Sequence, residues 1–184
     1  INQTCTCLFS VQYYANNGTW QCNITVTDSY NLTSFNVSNN ITINTVMGIN
    51  VNDVVDYGNL SVTEISSFIP ANVTNFGNVP INISVRGFAN DSLPSSENVT
   101  KMCEVGNITT GNQRYSTNTS ITFGNMTNLT NVSTSIPSFK LPIRTNDTNL
   151  ANDTNTTFWR IEIPLSVTGA CIGTLQFSAT QTEL

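Results

Sequence analysis

Nineteen asparagines open an Asn-x-Ser/Thr tripeptide without proline at x, and a chain with acceptors this dense can fold only so that nearly every stretch keeps a face in water. They are Asn2, Asn17, Asn23, Asn31, Asn36, Asn40, Asn59, Asn72, Asn82, Asn90, Asn98, Asn107, Asn118, Asn125, Asn128, Asn131, Asn146, Asn152 and Asn155, out of 28 asparagines in 184 residues. Ser and Thr make up 46 residues, a quarter of the chain. Chance would therefore give roughly seven such tripeptides. The excess implies passage through a compartment that attaches N-linked sugar, with the asparagines on accessible backbone.

Charge points to the same address. Only 9% of residues are charged, the formal net charge is −5, and Lys101 and Lys140 are the two lysines. Amides, hydroxyls and sugar would have to keep such a surface wet. Six scattered basic residues do not make the clustered cationic surface that nucleic acid requires, so no nucleic-acid partner is expected. No apolar run reaches eighteen residues and no basic, hydrophobic leader is present, so neither a membrane span nor a signal peptide is expected. A start at Ile1 suits a chain whose leader has been removed, or a fragment of a longer one.

Hydrophobic residues reach 39% and fall in short alternating runs rich in β-branched side chains, with strong helix formers scarce. This pattern predicts an all-β fold, a β-sandwich of jelly-roll or immunoglobulin-like type with an extended N-terminal strand segment and almost no helix. Residues 8–14 and 19–27 read as a hairpin around Asn16-Asn17-Gly18. Residues 35–39 and 41–49 follow, with Val37, Ile41, Ile43 and Val46 expected to turn towards apolar neighbours. A boundary near residue 46 separates N-terminal strands (1–45), a donor strand or partial immunoglobulin-like unit, from a sandwich domain (46–184). In the latter, strands are expected at 69–75, 79–87, 99–108, 119–123, 139–143, 157–164 and 173–182, and a glycosylated loop at 125–133. Where Asn23, Asn72 and Asn82 fall within strands they should point outward, with Ile24, Val73 and Ile83 pointing in.

Cys5, Cys7, Cys22, Cys103 and Cys171 suit an oxidising compartment, with two disulfides and one thiol over. The preferred pairing joins Cys22 to Cys5 or Cys7, and Cys103 to Cys171. Without histidine, and without a second cysteine pair at zinc-finger spacing, no metal site is expected.

The same absence removes the commonest general base. Asp147 with Asp153, and Asp53 with Asp56, could be paired as acid and base or as calcium ligands, but turns select Asp and Asn on their own account and neither pair has calcium-loop spacing. No phosphate loop and no nucleophile elbow occurs. No enzyme activity, catalytic residue or cofactor is therefore expected, covalent N-glycans aside. Trp20, Trp159, Tyr13, Tyr14 and Tyr115 are candidates for stacking on sugars, although only one of Phe158 and Trp159 can face outward from their strand.

Four segments carry a resemblance: Asp56-Tyr57-Gly58-Asn59-Leu60; Val73 through Asn75-Phe76-Gly77-Asn78 to Ile83; Asn112-Gln113-Arg114-Tyr115-Ser116; and Phe158-Trp159-Arg160-Ile161-Glu162-Ile163-Pro164 leading to Gly173-Thr174-Leu175-Gln176-Phe177-Ser178-Ala179. Together they resemble archaeal secreted β-sandwich surface glycoproteins in the style of TasA-like and camelysin-like filament subunits, over residues 46–182. The first 45 residues look instead like the closing strands of an immunoglobulin-like repeat, with Gly18-Thr19-Trp20 followed by Val26-Thr27-Asp28. The resemblance implies an extracellular, pilus-like filament or sheath, a homopolymer whose copies join by β-strand addition, Leu8, Val11 and Tyr13 or Ile41 and Ile43 being donor candidates. The alternative is a monomeric cell-surface adhesin or carbohydrate-binding domain, with surface glycans or proteins as partners.

Overall fold

The computed structural model describes residues 6, 8–52, 54–89, 98–146 and 152–182. It is all-β, and apart from single 3₁₀ turns at Thr110–Asn112 and Phe123–Asn125 the described residues contain no helix. No helix is long and apolar enough to cross a membrane.

Among the described residues the N-terminal strands pair only with one another. Strand β1 (Gly18–Trp20) runs antiparallel to β4 (Ile41–Ile43), and β2 (Asn23–Thr27) to β3 (Thr33–Val37). This corrects the expected hairpin: among the described residues, 8–17 belong to no strand, and the hairpin is β2–β3, closed by the turn at 28–32. Its turn is built by Asp28, whose Oδ1 accepts from the backbone N–H of Tyr30 and of Leu32, while Asn31 takes the left-handed conformation at φ 61°. Asx chemistry at Asp28 thus outweighs the Asn-Gly pair. The expected inward set is also corrected, since Val37, Ile41 and Val46 are 39%, 48% and 49% exposed and only Ile43 is half-buried. Two-stranded ribbons have no second layer to cover them.

Two larger sheets face each other across the main core. One has the order β11 (Thr127–Asn128), β10 (Gln113–Ser116), β13 (Thr154–Ile161), β6 (Ile69–Asn75), β5 (Ile49–Val51). The other has β12 (Thr134–Leu141), β7 (Ile81–Phe88), β15 (Thr174–Gln181). Alternation places Val73, Tyr115 and Trp159 from the first sheet against Ile81, Ile83, Val85, Phe139 and Leu141 from the second, all buried. A third sheet, β14 (Thr168–Ile172), β8 (Val99–Val105), β9 (Asn107–Thr109), closes a smaller cluster of Ile108, Ile161 and Val167.

The expected strand at 99–108 is two strands, broken at Gly106, where φ is +76° and an added Cβ would strike the carbonyl oxygen of Ser166. Residues 119–123 form no strand, because the Asn118 side chain caps Ser120 N and the chain then enters the 3₁₀ turn at Phe123–Asn125. Strands β10, β11 and β14 were not among the expected set, and β11 falls inside the segment read as a loop.

Candidate functional site: a sequon-covered surface and an open sheet edge

Asn2 and Asn90 lie outside the described residues, which leaves seventeen of the nineteen acceptors. Sixteen of these are exposed and Asn131 is half-buried. Those within strands are on outward faces or strand ends: Asn72 and Asn82 are exposed beside buried Val73 and Ile83, and Asn23 is exposed beside half-buried Ile24. The buried asparagines of the described chain, Asn75 and Asn78, both lack the tripeptide.

Those two do structural work at the turn after β6. Asn75 Nδ2 donates to the carbonyls of Val79 and Pro142 at 2.9 and 3.1 Å, and its Oδ1 accepts from Gly77 N at 2.8 Å. Asn78 Nδ2 donates to the carbonyls of Ala15 and Asn44, at 3.1 and 2.9 Å, tying the N-terminal region to this pole of the sandwich. Tyr13 stacks on Phe76 at 5.4 Å, and the Arg144 guanidinium lies over both rings at 5.5 and 5.9 Å. Arg144 is held in turn by buried Asp153, Nε to Oδ2 at 2.6 Å. Asp153 is thus a structural ion-pair partner; Asp147 and Asp53 lie outside the described residues, and no group of three or more His, Cys, Asp or Glu side chains gathers for a metal among the described ones.

One edge of the three-stranded core sheet is unfinished. Strand β15 pairs with β7 over eight residues, and no strand lies on its other edge among the described residues. The register fixes which groups that edge presents. Thr182 N donates to Pro80 O, so even-numbered β15 residues exchange hydrogen bonds with β7. The N–H and C=O of Leu175, Phe177, Ala179 and Gln181 therefore point away from β7, into a row without a strand partner. The inward side chains Leu175, Phe177 and Ala179 are only half-buried, as are Ile49 and Val51 on β5, the matching edge of the facing sheet.

Between these edges lies a cleft of about 630 Å³, lined by Val51, Val55, Tyr57, Leu175 and Phe177, with Lys101 at its side. Its wall at 54–60 makes no backbone–backbone hydrogen bond among the described residues. Tyr57 is held by its side chain instead, the hydroxyl accepting from Gln113 Nε2 at 2.8 Å, with Lys101 Nζ 5.4 Å from the ring centroid. Burial raises the Tyr57 phenol well above its ordinary value despite that hydrogen bond. Burial likewise lowers the Lys101 ammonium, partly offset by the attraction of Asp56. Of the acceptor asparagines, only Asn59 lines the cleft.

Cys103 and Cys171 are joined in a disulfide between paired residues of β8 and β14. Cys22 is also disulfide-bonded. Cys5 and Cys7 lie outside the described residues. Among the aromatic candidates, Trp159 and Tyr115 are buried against each other with ring centroids 5.2 Å apart, Tyr13 is committed to Phe76, and Phe158 is the outward member of its pair. The sequence does not show which strand forms the open edge, because edge position depends on long-range pairing; the apolar alternation of 173–182 is its one local trace.

No protein-family model, no curated protein and no solved structure matches this chain.

Proposed function

We propose that this chain is a structural subunit of an extracellular filament or sheath, N-glycosylated over most of its surface, in which a strand from a neighbouring copy adds to the free edge of β15. The observation that carries the reading is that eight-residue edge, open beside a half-covered apolar interior. An added strand would pair the outward N–H and C=O groups of Leu175, Phe177, Ala179 and Gln181 and cover their side chains.

The donor is the segment before the anchor at Tyr13 and Ala15. Leu8, Phe9 and Val11 are exposed, Leu8 at 92%, and among the described residues this segment joins no strand. Residues 1–27 contain no Asp, Glu, Lys or Arg, so such a strand brings no charge to be desolvated. The anchor lies at the turn after β6, where Ile49 pairs with Asn75, and the acceptor edge is a separate surface that runs the length of β15, from Thr174 beside Phe88 to Gln181 beside Ile81. A donor segment and an acceptor edge on different surfaces of the chain make a heterologous contact, which propagates wherever the rotation between copies does not close a ring. The Cys103–Cys171 disulfide and the outward-facing sequons support the extracellular address.

The test is electron microscopy of protein secreted from a glycosylating host, beside a variant lacking residues 1–12. Filaments from the parent and dispersed particles from the deletion are expected. Dispersed particles from both, at high concentration, would overturn strand addition. Intact mass before and after deglycosylation separately tests the sugar, and a secreted mass equal to the bare polypeptide would overturn that half.

A further inference from the structure

The outer face of the five-stranded sheet carries an arrangement that strand addition does not use. On β6 the outward residues include Pro70 and Asn72; on β13 they include Thr156, Phe158 and Arg160. The register sets Thr156 opposite Asn72 and Phe158 opposite Pro70. The Thr156 hydroxyl donates to Asn72 Oδ1 at 2.7 Å. That bond fixes the amide by its oxygen and leaves Nδ2, the nitrogen that takes sugar, without a partner among the described residues. One pair further along, half-buried Phe158 packs edge-to-face on Phe68 at 6.4 Å, and the Arg160 guanidinium lies over Phe68 at 4.9 Å. Arg160 Nε donates to the Ser66 carbonyl at 2.7 Å, while its remaining N–H groups have no hydrogen-bond partner among the described residues.

We propose that this face is a seat for the oligosaccharide carried on Asn72. The apolar C–H face of the first sugar rests on Phe158 and Pro70, and hydroxyl or carboxylate oxygens of the following sugars accept from the free N–H groups of Arg160. This rests on the glycosylation half of the reading above, and not on filament formation. Aromatic faces favour flat, weakly polar surfaces, and a guanidinium offers several donors in a fixed fork. A covalent tether makes the contact intramolecular, so weak individual contacts suffice to hold the chain down.

Asn82 is the internal comparison. It too lies within a strand, faces out and follows a proline by two residues, Pro80, but its cross-strand neighbours are Lys140 and Thr180 and its other same-face neighbour is Ser84, with no aromatic ring among them, so Phe158 is what distinguishes the Asn72 site. Sugar on Asn82 stands free in solvent; sugar on Asn72 lies along the sheet.

The experiment follows native-state release by a peptide:N-glycosidase, resolved site by site by mass spectrometry on the secreted glycoprotein. Release from Asn72 is expected about tenfold slower than from Asn82, the two rates converging once the protein is unfolded. Phe158→Ala should raise the Asn72 rate towards that of Asn82 and leave the Asn82 rate unchanged. Equal rates in the parent protein would overturn the seat. If peptides spanning residue 72 carry no sugar while those spanning 82 do, the acceptor assignment at Asn72 is what fails, and the seat goes with it.

Discussion

Asparagine does two jobs in this chain, and no described asparagine that opens the tripeptide is buried. Where Ser or Thr follows at the second position, the described asparagines lie at the surface; Asn75 and Asn78, followed by Gly77 and Pro80, turn inward and satisfy backbone groups that no strand reaches. Asn75→Ala leaves the Val79 and Pro142 carbonyls and Gly77 N without their partner, and should cost roughly 1–3 kcal/mol in denaturant unfolding. Tyr57 gives a pH prediction. Its phenol is raised in the folded state, so the neutral form is favoured and its stabilising contribution is complete below the ordinary phenol value near 10. It is lost as pH climbs above that value, since the unfolded chain releases the proton first. Lys101, lowered by burial, acts in the opposite sense, relieving the folded state as pH rises towards the ordinary lysine value. Alkaline unfolding, followed through buried Trp159, should therefore be less steep in Tyr57→Phe above pH ~10.

At the scale of elements, legibility followed locality. The 69–75 strand was readable because its own residues alternate and a turn closes it, and β15 was readable for the same reason. Strand β14 was not: Gly169, at φ +83°, interrupts the alternation, and what holds the strand is Cys171 beside Cys103, 68 residues away. The N-terminal hairpin was misplaced because an Asn-Gly pair and an Asx turn are both local signals, and only the pairing partners decide between them. Of the candidate site, the acceptor asparagines were fully visible as a tripeptide, whereas the open edge and the cleft exist only once β15 has paired with β7. Replacing both Cys103 and Cys171 by Ser should cost about 2–5 kcal/mol, and hydrogen exchange should show β8, β9 and β14 loosening before β7 and β15. Gly173, between β14 and β15, sits against the Thr100 carbonyl too closely for any Cβ. Gly173→Ala should therefore destabilise more than an exposed substitution does, by at least about 1 kcal/mol in thermal or denaturant unfolding.

For the whole molecule, solubility is the property on which the proposed glycosylation bears most directly. Seventeen charged residues, six basic and eleven acidic, leave a net charge of −5 and a sequence isoelectric point near 4.3. Enzymatically stripped protein is expected to precipitate near that pH, where its charge vanishes, and the glycosylated form to remain in solution; turbidity against pH distinguishes the two. The direction of pairing along β15 has a mechanical side as well. Eight consecutive residue pairs bind β15 to β7. Tension applied along the strand axis loads these bonds side by side, so they must shear together, whereas a pull across the sheet would unzip them singly. Just upstream, the Cys103–Cys171 bridge ties β14 covalently to β8, so a force that reached β15 would pass on into a second sheet through a link that does not slip.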